Sequence, residues 1–282
     1  MSAGSNRAGA FAPLWAGGAQ AAARWAAALP AGAFGRAGLA YFPETGSTQD
    51  EAFAAAAQGA AHGAAFVADS QTAGRGRRGA AWTAPPGSSL LVSVLLKPAP
   101  PAKGSGRMAL AAAVAAARAV ESAVPGMRLE IKWPNDLLLA GRKLGGILVE
   151  SRRGWAALGL GINVGQRPED FPAELGERAT SLAAELGSAP DRLVLLAALL
   201  TEMGRIFASP GISAESWAAL RAEAERRLAW RGRQVLVAGG PQGSLVGRLV
   251  GLSESGGLVL ESPGGAHRVA AAGSLELAEQ EV

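Results

Sequence analysis

A chain of 282 residues, 49% of them hydrophobic, is long enough to bury one large core, or a large one beside a small one. With no cysteine and only His62 and His267 as imidazoles, it excludes disulfides and thiolate metal sites, and it leaves little material for a structural zinc or a Ser-His-Asp hydrolase. The 27 basic residues against 23 acidic ones leave a net charge of +4, too small a field to support general nucleic-acid binding. Absence of cysteine fits a reducing compartment, and the expected location is cytoplasmic.

Residues 1–40 are rich in Ala and Gly, with scattered Arg7, Arg24 and Arg36 and no continuous apolar stretch before a cleavage site. A loosely ordered or helical extension is expected there. Tyr41 opens a short strand, and a polar turn from Thr45 to Ser47 leads into a helix marked by Ser47 and Thr48, with Asp50 and Glu51 behind them. "AAFVADSQTAG" and "SSLLVSVLLK" read as buried strands, separated by a glycine-arginine loop and by the turn at Pro85, Pro86 and Gly87. Arg107 to Val124 is an alanine-rich helix stopped by Pro125 and Gly126. Residues 128–151 read as strand, turn, strand, tight turn, strand, and "WAALGLGINVG" adds another.

Apolar spacing predicts helices over Asp191 to Phe207 and Ala214 to Trp230. The longest apolar runs, Ala109 to Ala117 and Leu193 to Leu200, are too short to span a bilayer, so no membrane partner is expected. After Arg231 the texture changes to short apolar stretches between Gly, Ser and Pro, the pattern of a small β-barrel. The expected division is therefore an extension over 1–40, a larger domain over 41–230 and a small β domain over 231–282. No repeat of fixed period is visible.

Four segments carry chemistry. The loop "QTAGRGRRGAAW", Gln71 to Trp82, sets Arg75, Arg77 and Arg78 among Gly74, Gly76 and Gly79; it cannot be core, and its arginines call for an anion. It lacks the Gly-Lys-Ser/Thr of a phosphate-binding loop that opens a helix, and Arg77-Arg78 crowd the space a dinucleotide fingerprint requires. An RNA-binding Arg-Gly tract is the alternative, although such tracts repeat in disordered segments and this one stands once between two strands. Lysine is scarce, restricted to Lys97, Lys103, Lys132 and Lys143 in a chain where arginine is the usual cation. Lys143 precedes Gly145-Gly146 on a tight turn, either an ordinary hairpin lysine or a compact charge able to approach a ligand. Asn135 and Asp136 after Trp133-Pro134 are turn chemistry, or two oxygen ligands for Mg²⁺ beside a phosphate. "GLGIN", Gly159 to Asn163, is a closely packed strand end or a bare surface for a flat ring with Asn163 reading its edge.

Taken together and in this order, "ETGSTQ", "SQTAGRGRRGAAW", "KWPNDLLL", "RKLGGILVE" and "GLGINV" resemble the biotin protein ligases, from about Tyr41 to Val164 and more weakly through the β-rich end. The resemblance implies an α+β fold: a mixed β-sheet catalytic domain flanked by helices, related to class II aminoacyl-tRNA synthetases, with a small C-terminal SH3-like β-barrel. It implies an enzyme that joins biotin to ATP, with Mg²⁺, as biotinyl-5′-AMP and then passes biotin to a lysine of a biotin carboxyl carrier domain. By the same resemblance Lys143, Arg75 and Arg77 are the catalytic cations, and the arginines sit on a loop, anchored by Trp82, that closes over the adenylate. Ser47, Thr48, Gln49 and Gln71 fall at biotin-binding positions; Gly76, Gly146, Gly159, Gly161 and Asn163 fall near the ligand; Asn135 and Asp136 are the metal or phosphate candidates.

Two departures stand out. Gln49 replaces the family's common Asn, which predicts a displaced contact to biotin, and Ala80 replaces a common Arg, which predicts looser retention of the adenylate. Some members carry an N-terminal helix-turn-helix domain, but the glycine-rich stretch before Tyr41 is short for three helices, so no sequence-specific DNA partner is expected. The family includes monomers and dimers joined at sheet edges, so a homodimer is among the partners it allows. The nearest rival reading is a lipoate or octanoyl transferase on the same fold.

Overall fold

The computed structural model describes residues 14–99, 105–209, 211–241 and 243–278. Its larger sheet has the order β1-β2-β3-β7-β6-β5-β4, built from β1 (Leu39–Thr45), β2 (Ala65–Gln71), β3 (Ser89–Leu96), β4 (Glu130–Lys132), β5 (Asp136–Leu139), β6 (Arg142–Arg152) and β7 (Trp155–Asn163). β1 and β2 run parallel and every other neighbour pair is antiparallel. The smaller sheet, in the order β11-β10-β9-β8-β12, is antiparallel throughout: β8 (Gln234–Gly240), β9 (Gly243–Leu252), β10 (Leu258–Glu261), β11 (His267–Ala270) and β12 (Ser274–Leu277). The fold is thus mixed α+β with a small antiparallel β domain at the C-terminal end.

Period-two alternation sorts the central strands onto two faces. Leu90, Val92, Val94 and Leu96 of β3, with Ala156, Leu158, Leu160 and Ile162 of β7, point into the main core. Against them packs α3 (Ser105–Ala123), whose run from Met108 to Ala117 is entirely buried. Alanine carries only a methyl group to hold the backbone away, so this helix lies close to the sheet on one side and to α5 (Arg192–Phe207) and α6 (Ala214–Arg226) on the other. Arg118 bridges α3 to Glu202 and Glu223, and Arg227 binds Glu121 and Glu223, which locks the three helices together. On the opposite face α2 (Thr48–Ala57) covers Phe66, Leu95 and Ala157 around Ala52. It covers only part of that face, and the remainder is the candidate site.

The helix expected to run to Trp230 ends at Arg226. Sheet pairing wins there: Ile131 N–H donates to Arg227 O at 2.7 Å and Ala229 N–H to Ile131 O at 3.0 Å, drawing the backbone out of the helix beside β4. No helix among the described residues is long and apolar enough to cross a membrane.

Of the N-terminal segment, residues 1–13 lie outside the described residues. From Leu14 the chain is docked, with α1 (Gly18–Ala27) and the buried Leu14, Trp15, Ala22 and Ala26 joined to the main core. Asp69, 5% exposed on β2, fastens it. Its carboxylate accepts from Leu14 N–H at 3.0 Å, from Arg192 Nη1 at 2.8 Å and from the Tyr41 hydroxyl. Burial, then the hydrogen bond to Asp69, pushes the Tyr41 phenol well above its ordinary range. Asp69→Ala removes the shared acceptor of Leu14 N–H, the Tyr41 hydroxyl and Arg192, and is expected to lower stability by about 3 kcal/mol in urea unfolding.

Two indoles weld the small sheet to the large domain: Trp133 Nε1 donates to Gly256 O at 2.9 Å and Trp217 Nε1 to Glu254 O at 2.6 Å. Both acceptors lie on the β9–β10 turn.

Candidate active site

The uncovered part of the α2 face holds a pocket of about 240 Å³, walled by the start of α2, the glycine-arginine loop, β5, β6 and β7. Its floor is bare because the strand period that sends Leu158, Leu160 and Ile162 into the core turns Gly159 and Gly161 outward. A Cβ on Gly161 would stand 2.6 Å from the Trp82 indole, and one on Gly159 would stand 3.0 Å from the Gln49 amide. Trp82 therefore rests on backbone. Its Nε1 is buried, and among the described residues it has no hydrogen-bond partner.

One group of polar side chains comes from α2, β2 and β3. Gln71 Oε1 accepts from Thr48 N–H at 2.8 Å and from Thr48 Oγ1 at 3.1 Å, and Thr48 Oγ1 lies 2.8 Å from Ser93 Oγ. Ser47 precedes the helix in an extended conformation, and its hydroxyl makes no capping bond. Gln49 lines the pocket as well. Its longer side chain spans to the sheet, where Nε2 donates to Leu148 O at 3.0 Å and Ala157 O at 3.1 Å.

The second group is cationic. Lys143 Nζ lies 2.8 Å from Asp136 Oδ1, and Arg77 Nη1 donates to Asn135 Oδ1 at 3.3 Å. Asn135 is fixed in turn, its Nδ2 donating to Ile147 O at 2.8 Å while Ile147 N–H donates to Asn135 O at 2.9 Å. Two adjacent residues after Pro134 thus hold the two cations on one pocket. Burial, then the neighbouring Arg78, holds the Arg77 guanidinium below its usual range, as expected of a cation short of solvent and counter-charge. Arg75 lines the same pocket but is engaged elsewhere, bound to Asp50 at 2.6 Å and to Glu150 at 3.0 Å. The hydrogen bond to Asp50 raises the Arg75 pKa and lowers that of Asp50.

Gly76, Gly146 and Gly161 line the pocket as expected, together with Ala80. Asn163 does not. It is buried, with Nδ2 donating to Thr180 O at 3.0 Å and Oδ1 accepting from Gln166 Nε2 at 3.0 Å, so its edge is spent tying the following segment to β7. Asn135 and Asp136 offer two oxygens already facing cations, and no cluster of three His, Cys, Asp or Glu able to hold a metal occurs among the described residues. The sequence reading missed Ser93, Asp50, Glu150 and Ser274. Ser93 alone had a signal, a single hydroxyl in the apolar run "LLVSVLL" at the position whose neighbours face α2.

Comparison with known proteins places the chain in a family. Residues 42–166 match the Biotin/lipoate A/B protein ligase family, and residues 232–277 match the biotin protein ligase C terminal domain. The biotin--[acetyl-CoA-carboxylase] ligase of Paracoccus denitrificans is 34% identical over 235 residues, covering 81% of this chain and 96% of that protein. The bifunctional ligase/repressor BirA of Bacillus subtilis is 42% identical over 159 residues, which span 55% of this chain and 49% of BirA, about half its length. In three dimensions the biotin protein ligase of Aquifex aeolicus, solved in complex with biotin and ATP, superposes with a TM-score of 0.71 at 29% identity, covering 86% of this chain and 98% of that one. On this sequence and structural likeness, the chain belongs to the biotin protein ligase family.

Proposed function

We propose that this protein activates biotin with ATP to biotinyl-5′-AMP and transfers biotin to a lysine of a biotin carboxyl carrier domain. The observation that carries the reading is the convergence of Lys143 and Arg77, each held by one of two adjacent side chains, on the pocket that also exposes Thr48, Gln71 and Ser93. In the first step a biotin carboxylate oxygen bonds to the α-phosphorus and the bond to the bridging oxygen breaks, so that pyrophosphate leaves with the electron pair. Like charge opposes that approach. Fixed cations lower the barrier because they are already oriented when charge develops. Arg77 gains from an arriving anion, since it is half-buried and its Nη1 donates to the neutral amide oxygen of Asn135.

In the second step the carrier lysine amine bonds to the acyl carbon and AMP departs, so no covalent link to the enzyme is needed. The loop from Arg75 to Trp82 roofs the pocket and keeps water from the mixed anhydride. Arg75 reaches the nucleotide only by leaving Asp50 and Glu150. Mg²⁺ accompanying ATP would find Asp136 and Asn135 as oxygen donors, fewer than a resident ion requires, and would depend on the nucleotide for the rest. When bound it adds neutralising charge to the phosphates.

The polar group at Thr48, Gln71 and Ser93 favours biotin over lipoate. A ureido ring offers both donors and an acceptor, whereas a dithiolane ring offers neither. The deciding experiment incubates the protein with ATP, a carrier domain, and biotin or lipoate, and reads the carrier by mass spectrometry. A biotin adduct on one lysine is expected. A lipoyl adduct alone, or no adduct from either acid, would overturn the reading.

A further inference from the structure

Arg78, next to the site cation Arg77, lines the same pocket and reaches onto the small β domain. Its Nη1 donates to Ser274 Oγ of β12 at 2.8 Å and its Nη2 to Gly239 O of β8 at 3.2 Å. One guanidinium thereby spans two strands of a domain that lies 161 to 196 residues further along the chain. Arg78 also adopts φ 56°, the left-handed region that a residue with a Cβ enters at a cost, and such a conformation persists only where its surroundings impose it. The clasp supplies that imposition. Gly239 has φ 70°, and a Cβ added there would meet the Arg78 guanidinium at 3.2 Å.

The anchor end is rigid, because the indoles of Trp133 and Trp217 hold the same small domain at its β9–β10 turn. Between clasp and turn lies a second cavity of about 790 Å³, walled by Arg75 to Gly79 on one side and by Ser255 to Gly257, Ala271 and Ala272 on the other. Ser274 itself lines the first pocket with Lys143 and Arg77. The loop therefore has two seats: Trp82 on the glycine floor of the large sheet, and Arg78 on the small domain.

We infer that Arg78 is a positioning residue that latches the glycine-arginine loop to the C-terminal β domain through Ser274 and Gly239, making that domain a working part of the ligase site. The inference rests on the proposed function for its kinetic consequence but not for its structural one. Releasing Arg78 lets the backbone leave the left-handed region and the loop lift, carrying Arg77 away from Asn135. Retention of the adenylate suffers first, because the latch roofs the site without touching the reacting atoms.

The test compares the wild-type chain with Arg78→Ala, Ser274→Ala, Ser274→Thr and the double Arg78→Ala/Ser274→Ala variant. The dissociation rate of biotinyl-adenylate is expected to rise about tenfold in Arg78→Ala and about threefold in Ser274→Ala, with the double variant no faster than Arg78→Ala and Ser274→Thr near wild type. Limited trypsin digestion of the ligand-free wild-type, Ser274→Ala and Ser274→Thr proteins reads the latch without any catalysis. Faster cutting at the loop in Ser274→Ala alone is expected. Additive effects in the double variant, or wild-type dissociation and digestion rates in Ser274→Ala, would overturn the latch. A wild-type protein that forms no adenylate would sink the ligase reading instead, and the digestion would still decide the latch.

Discussion

Replacing Lys143 by alanine is expected to slow biotinyl-adenylate formation by about a thousandfold, equivalent to about 4 kcal/mol of transition-state stabilisation. Among the described residues the ammonium is the only lysine on the pocket, and Asp136 at 2.8 Å fixes its direction. Its charge matters most where an anionic oxygen meets an anionic phosphorus, so the loss should fall on the chemical step more than on biotin binding. The fold should survive, because Lys143 lies on a hairpin strand with its side chain about one-third exposed. Pyrophosphate release under saturating biotin and ATP measures the rate, and the thermal midpoint checks the fold. A variant with wild-type turnover would remove Lys143 from the mechanism.

The second large effect concerns the floor. Gly161→Ala places a methyl group 2.6 Å from two ring carbons of Trp82, too close for any real contact, and the indole is rigid and wedged. The ring must lift and the loop must lift with it, since Trp82 N–H also donates to Gly74 O at 2.9 Å. Biotin affinity is expected to fall about a hundredfold, or about 2.7 kcal/mol, by titration calorimetry. Gly159→Ala meets the Gln49 side chain at 3.0 to 3.2 Å, a milder crowding than at Gly161, and should cost about tenfold or less. In a Trp82→Ala background the Gly161 substitution should add nothing, because the clash has gone. Unchanged affinity in Gly161→Ala would show that the indole does not seat the loop.

Both predictions lean on features legible in the row of residues. A lysine before Gly145-Gly146, in a chain that otherwise prefers arginine, marked a position where point charge and close approach mattered. Gly159 and Gly161 two apart in an apolar strand put both on one face by the strand period alone. The loop's setting between two buried strands followed from the same pattern. Other parts could not be read this way. Ala214 to Trp230 keeps helical spacing to its end, yet the last turn is given up because Ile131, far back in the chain, offers better-placed partners to Arg227 and Ala229. Asn163 looked like a reader of ligand edges, but Thr180 and Gln166 arrive on a returning segment and occupy it.

Arg75 is the clearest contrast with its neighbours. Spacing groups it with Arg77 as a ligand cation, whereas Asp50 on α2 and Glu150 on β6 converge on it only after helix and sheet have packed. Arg78 received no role from the sequence, since Ser274 lies 196 residues away.

By itself, the sequence determined the elements, the two-domain texture, the bare glycine floor and the stock of cations, because strand period, helix caps and turn residues act over a few neighbouring positions. The tertiary structure alone decided which cation faces which anion, which polar edges are already taken, and that the small domain grips the loop. Those outcomes depend on contacts between residues tens to hundreds of positions apart, fixed by how the sheet stacks on its helices and by where the second sheet docks.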